Sequence, residues 1–200
     1  TPEEFFARLW DQAHVRAERR DAGYFASLAP ELELEHMLSV ASAPAGGVEA
    51  FCDGMRTQIC TNIEEATDAL GQGISLRINN AQRLSAGLTR VCRALEQRLS
   101  APVSANIYLS PPGCRALSCH FDSHDVFVAQ IRGSKRWRVY GGRVADPVEH
   151  LPLLRAGSED RKRRVRLTGT GEEVALGSRR PLEEFVLGAG DCLYLPRGYF

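Results

Sequence analysis

The sequence is short of most features that would assign it at a glance. It has no net charge, with 25 Lys and Arg against 25 Asp and Glu. No global electrostatic pull toward nucleic acid or an anionic membrane surface therefore operates, and any such binding must come from local patches. No apolar run approaches the roughly 20 residues that cross a bilayer. Thr1 to Leu9 is short, acidic and amphipathic, unlike a secretion signal. The six cysteines, Cys52, Cys60, Cys92, Cys114, Cys119 and Cys192, follow no regular spacing in a chain of 200 residues, which argues against a disulfide scaffold and leaves a reducing cytoplasm as the expected compartment. No internal repeat is visible, and lysine is scarce beside arginine. What is present suits a single globular domain. With 44% hydrophobic and 25% charged residues, the chain can bury a substantial core without covalent staples.

The first hundred residues read mostly as helices. Phe5, Phe6, Leu9 and Trp10 fall at helical spacing within Pro2 to Trp10, and Leu32, Leu34, Met37 and Leu38 do so within Pro30 to Val40. Asn62 is placed to cap a helix through Leu70, with Glu64 and Glu65 in its first turn and Gly71 and Gly73 at its end. Ile74 to Ile78 alternates as a short strand. Leu84 to Leu99 carries one apolar stripe. Beyond Ser100 the pattern becomes short strands with turn signals. Val103 to Leu109 reads as a strand, and Asp125 to Ile131 reads as another, returning through Arg132-Gly133-Ser134 into Lys135 to Tyr140. After a polar, loop-rich stretch from Gly141 to Arg180 come Phe185 to Leu187 and Cys192 to Leu195, separated by Gly188-Ala189-Gly190-Asp191. Many short strands of this kind predict a double-sheet jelly roll or cupin barrel. The basic run Arg161 to Arg166 reads as a solvated loop, which makes direct nucleic-acid binding a poor expectation.

The segment richest in chemistry is His120-Phe121-Asp122. On a strand, residues two apart share a face, so imidazole and carboxylate can converge on one metal while Phe121 turns away. One histidine and one carboxylate are two thirds of the facial triad of non-haem Fe(II) oxygenases. The same triplet is also consistent with a simple hydrogen-bonded pair. Lys135 admits two readings as well. It shares a strand face with Trp137 and Val139, where an anion such as the distal carboxylate of a 2-oxo-diacid would meet it, or it keeps an exposed hairpin edge soluble.

Several motifs occur in one order: Ser104-Ala105-Asn106-Ile107-Tyr108-Leu109-Ser110-Pro111-Pro112-Gly113, then His120-Phe121-Asp122-Ser123-His124-Asp125-Val126-Phe127, then Gly133-Ser134-Lys135-Arg136-Trp137-Arg138, and finally Gly190-Asp191-Cys192-Leu193-Tyr194-Leu195-Pro196-Arg197-Gly198. Together these resemble the JmjC-type ribosomal oxygenases, cupin-like Fe(II)- and 2-oxoglutarate-dependent protein hydroxylases. The match runs from about Ile74 to the end, with Thr1 to Pro30 more loosely similar.

The resemblance implies an α+β fold, a double-stranded β-helix of the jelly-roll, cupin type preceded and flanked by α-helices. It divides the chain into a mainly helical part over residues 1–73 and a JmjC core over residues 74–200. His120 and Asp122 match the first two iron ligands, and Lys135 the partner of the distal carboxylate of 2-oxoglutarate. Asn106 and Tyr108 match positions facing the cosubstrate pocket. In this family a second histidine ligand follows the Leu-Pro-Arg-Gly turn after two intervening residues. Here only Tyr199 and Phe200 follow Leu195 to Gly198, so that ligand is expected at the next residue and the core reads as truncated before it. His14, His36, His124 and His150 are poor substitutes. The implied activity is hydroxylation of a protein or peptide side chain, with ribosomal proteins among the candidate clients. A biosynthetic precursor peptide is an alternative client, and a non-catalytic cupin-like binding module an alternative class.

Overall fold

The computed structural model describes residues 1–28, 32–33, 35–37, 48–52, 55–115, 117, 119–144, 147, 164–166, 173–175 and 180–200. They form two compact units, Thr1–Ala26 with Cys119–Phe200, and Ser27–Ser118. Most of the anticipated helix over Pro30 to Val40 lies outside the described residues, as does His150. No described helix is long and apolar enough to cross a membrane.

The first unit begins with α1 (Pro2–Arg8), fixed at its start by a reciprocal cap in which the Thr1 hydroxyl accepts the Glu4 N–H. The chain then enters β1 (Val15–Ala17). His14 therefore precedes a strand and does not sit in a helix. The remaining main strands are β6 (Val126–Ala129), β7 (Ser134–Tyr140), β10 (Pro181–Gly188) and β11 (Cys192–Leu195). Two further short strands, β8 (Arg164–Arg166) and β9 (Glu173–Ala175), pair with each other inside the stretch read as loop.

The pairing differs from the sequence reading at an informative place. β6 and β7 are not a hairpin, although only a short turn separates them. β6 pairs with β11, with Phe127 opposite Tyr194, while β7 pairs with β10, with Lys135 opposite Leu187 and Trp137 opposite Phe185. β10 and β11, also adjacent in sequence, likewise join different ladders. A bend of a few residues records that the chain turns, not which ladder the next strand joins. At this double crossing the two bends hold each other: Gly190 N–H donates to Gln130 O at 2.8 Å and Gln130 N–H donates to Asp191 O at 3.0 Å. The result is two nested antiparallel ladders, β7·β10 inside β6·β11.

Both ladders contribute to one apolar core of Val139, Phe185, Leu187 and Leu193, with Val128, Trp137, Leu195 and Tyr199 packed against it. β11 is the central strand of the order β1-β11-β6 and is covered on both faces. Leu193 faces that core, and Tyr194 turns the other way, stacked on Trp10 at 5.4 Å and edge-on to Phe5 at 5.0 Å. The aromatic run of α1 thus covers this sheet.

The second unit is an antiparallel sheet of order β3-β2-β4-β5, made from β2 (Val48–Cys52), β3 (Met55–Cys60), β4 (Ser75–Ile78) and β5 (Ile107–Leu109). β1, β2 and β3 fall within residues read as largely helical, and β5 is shorter than the Val103 to Leu109 run. The Asp53-Gly54 dipeptide between β2 and β3 was the available hairpin signal. The helical expectations elsewhere hold. α2 (Ile63–Gly71) is capped by Asn62, which accepts the Glu65 N–H at 2.9 Å, and α3 (Ala86–Leu99) is capped by Ser85. Val48, Ala50, Leu76 and Ile78 form one buried sheet face against Ala66 and Ala69 of α2.

Gly190 shows how tightly the crossing is built. Its φ is +91°, and a Cβ there would lie 1.9 Å from the Asp21 carbonyl oxygen. Gly190→Ala is expected to cost more than about 1 kcal/mol, since both the dihedral and the backbone contact oppose it. The check is the denaturant midpoint, and a midpoint equal to that of the parent would show the contact is not made.

Candidate functional site

His120-Phe121-Asp122 lies in an irregular segment leading into β6, not in a strand as the sequence reading had it. The alternation survives without the strand. Phe121 is buried, 6% exposed, and packs edge-on against Phe200 at 5.3 Å. His120 and Asp122 are drawn together, with Nε2 and Oδ2 3.8 Å apart. The backbone is pinned where it matters, because the Asp122 carbonyl oxygen accepts the Gly198 N–H at 2.8 Å.

This pair suits a metal ion. Donors about 2.1 Å from one ion and at right angles stand about 3 Å apart, so a small contraction of the observed separation suffices. Imidazole with carboxylate is the donor chemistry of a non-haem iron site. Among the described residues no third His, Cys, Asp or Glu joins them. His124 is exposed.

Lys135 occupies the inner face of β7, in register with the fully buried Leu187 and two residues from Trp137. It does not keep a hairpin edge soluble. Burial holds its pKa below the ordinary lysine value of 10.5. On the same face the Trp137 indole N–H is buried and has no hydrogen-bond partner among the described residues. A charged ammonium and an orphaned donor two residues apart on an apolar face fit an anionic, acceptor-rich guest such as a dicarboxylate.

Asn106 and Tyr108 belong to the other unit. Both are exposed, two residues apart, with Tyr108 on β5 and Asn106 just before it. Asn106 Oδ1 accepts the Asn80 N–H at 3.1 Å. Tyr108 stands in register with Arg77, and Arg77 with Glu49, so one polar row crosses three strands. Burial alone would lower the Arg77 pKa, but hydrogen bonds to Glu49 and Tyr108 outweigh it and hold the guanidinium above its ordinary value. Burial would likewise raise the Glu49 carboxyl, yet Arg77, Asn79 and Arg56 pull it below the usual range. Arg77 was missed from the sequence; its signal is a lone charge within the strand Ile74 to Ile78. A cleft of about 380 Å³ in this unit is lined by Cys52, Gly73, Gly113, Cys114 and Arg115, none of them an expected site residue.

Comparison with known proteins bears on the whole chain. The family described as "JmjC domain" matches residues 77–200. "Ribosomal oxygenase 1" of Gallus gallus is 32% identical over 99% of this chain and 31% of that protein. "Bifunctional lysine-specific demethylase and histidyl-hydroxylase NO66" of Drosophila mojavensis is 30% identical over 99% of this chain and 21% of that protein. Among solved structures, YcfD, a ribosomal oxygenase from Escherichia coli in complex with cobalt and 2-oxoglutarate, superposes with a TM-score of 0.63 at 21% identity, covering 98% of this chain and 46% of that one. That likeness establishes the shared fold. The chain spans about a third or less of the length of these curated relatives and about half of the solved structure.

The position of Lys135 generates a stability prediction. Its folded pKa lies below the unfolded value, so the unfolded chain binds the extra proton more readily. Stability is therefore reduced at neutral pH and rises as pH climbs through the folded pKa toward 10.5. Lys135→Met removes the buried charge. It is expected to stabilise the unliganded protein by about 1 kcal/mol at pH 7 and to flatten that alkaline rise. Thermal melts at pH 7 and pH 10 check it; a lower melting temperature at pH 7 contradicts it.

Proposed function

The chain belongs to the JmjC domain family, and from that membership we propose that it forms much of an Fe(II)- and 2-oxoglutarate-dependent oxygenase that hydroxylates a side chain of a protein or peptide. The observation that carries this is the approach of His120 Nε2 and Asp122 Oδ2 to 3.8 Å on a segment whose backbone is tied down at Asp122 O. The names of the relatives, ribosomal oxygenase and histidyl-hydroxylase, support a ribosomal protein as the client and a histidine as one candidate for the residue modified. The nested ladders support a double-stranded β-helix core, with the catalytic region running from about residue 74 to 200.

In this reading His120 and Asp122 would be two of the residues that hold the metal. Bound Fe(II) with 2-oxoglutarate and O2 supplies the oxidising chemistry, releasing succinate and CO2 while a client C–H becomes C–OH. The protein contributes placement. Lys135 pairs with the distal carboxylate through a charge-assisted hydrogen bond, which is strong because the surrounding β7·β10 face excludes water. Trp137 offers its indole N–H as a neighbouring donor. The depressed pKa of Lys135 belongs to the unliganded protein, and an incoming carboxylate favours the charged form again. That Asn106 and Tyr108 bind the cosubstrate rests on the family resemblance alone; within their own unit Arg77 holds the Tyr108 phenol through a hydrogen bond.

The test uses the full-length protein with Fe(II), 2-oxoglutarate and ribosomal protein or peptide clients, reading succinate release and a mass gain of one oxygen on the client. His120→Ala and Asp122→Ala are each expected to lower turnover by at least about 100-fold. Lys135→Met should raise the KM for 2-oxoglutarate by roughly 10- to 100-fold, the worth of one charge-assisted hydrogen bond. Failure of the parent protein to couple succinate to any client would leave a binding module as the better description.

A further inference from the structure

Asp11, just past α1, engages every polar group it has. One carboxylate oxygen pairs with Arg143, and the other with Arg197 Nη2 at 2.9 Å. Its carbonyl accepts from Arg143 Nη1 at 2.8 Å, and its N–H donates to the Tyr194 hydroxyl at 3.0 Å. Its φ of +57° is a left-handed conformation that only a few residue types adopt, Asp among them. From Asp11 the contacts run to the segment that carries the metal pair. Tyr194 donates its hydroxyl to Asp125 Oδ1 at 2.7 Å, and Arg197 Nη1 lies 3.5 Å from Asp125 Oδ2. Arg143 Nε donates to the Arg197 carbonyl at 2.7 Å, and the residue after Arg197 is Gly198, whose N–H holds Asp122 O. The stretch from Asp122 to Asp125 is thus gripped at both ends by groups that Asp11 organises.

We propose that Asp11 is a positioning residue for the metal-binding carboxylate, acting through Arg197 and Arg143 to set the orientation of Asp122. This rests on the reading of Asp122 as a ligand. Stability alone is a weak reason for such an arrangement. The ion pairs are partly exposed, and pairs of that kind contribute roughly 0–1 kcal/mol each. Orientation is where two carboxylates, two guanidinium forks and a phenol locked in one ring have most effect. Removing the Asp11 charge leaves Arg143 with backbone carbonyls and Arg197 with Asp125, so Arg197 loses the carboxylate that fixes its direction and the Gly198 contact to Asp122 loosens.

The test is Co(II) binding to the full-length protein, followed by titration and by the visible absorption of the bound ion, which reports ligand geometry independently of turnover. Asp11→Asn keeps the side-chain size and removes the charge. It is expected to weaken Co(II) about tenfold and to change the absorption spectrum, within the range typical when an outer partner of a metal ligand is lost. Asp11→Glu should recover part of the affinity. Unchanged affinity and spectrum in Asp11→Asn, whatever its melting temperature, would overturn the proposal. Should Asp11→Asn not fold, Arg197→Lys keeps the charge but not the fork. It is expected to show the same loss, and parental binding by that variant is equally fatal. Asp122→Ala separates the two ideas: if it binds Co(II) like the parent, the assignment of Asp122 fails and the inference falls with it, whereas loss in Asp122→Ala without loss in Asp11→Asn overturns the positioning role alone.

Discussion

The register of β11 against β6 is the constraint on which the first unit depends. Tyr194 lies opposite Phe127 and Leu195 opposite Val126, which brings Arg197 and Gly198 beside Asp122 to Asp125. Side chains alternate with period two, so a slip of one residue would turn Leu193 and Leu195 toward the α1 aromatics and drive Tyr194 into the aliphatic core. The phenol would then lose Asp125 and Asp11 together. Because β11 is buried on both faces, each with its own chemistry, the register is specified twice over.

Within this frame the inner face of β7 carries two groups that an apolar core would not choose, Lys135 and the Trp137 indole N–H. Each stands where an anionic, acceptor-rich guest would be met by a donor on an otherwise apolar face. Such local conflict with the rules of core formation is characteristic of a functional position.

How much of this was legible beforehand divides by sequence distance. α2 and α3 were readable with their caps because Asn62, Ser85 and their apolar stripes are local signals. The His120 and Asp122 pair was readable as alternation around Phe121, although the reason proved to be Phe121 packing on Phe200, not strand geometry. Lys135 was correctly placed on a face with Trp137 and Val139 but given the wrong neighbour strand. That error was physical: β7 and its true partner β10 are separated by the whole polar stretch, and the short turn after β6 favours the nearer pairing in any local reading. The contacts of Asp11 with Arg197 lie 186 residues apart in sequence, and Asp11 belongs to no motif. β2 and β3 were missed for a different reason, since the Asp53-Gly54 hairpin signal went unread within residues taken as mostly helical.

The nested order of the ladders also bears on how the polypeptide reaches this state. β1 and β6 both hydrogen-bond to β11, yet neither can do so until residues near 195 have left the ribosome. Until then the aromatic side of α1 and the inner side of β6 have no sheet to cover. Pairings this remote are slow to form and leave apolar surface open to misassociation in the meantime. Early emergence of residues 1–26 therefore gives them no head start: they wait, greasy and unpaired, for a strand made some 175 residues later, on the order of 10–30 s at common rates of synthesis.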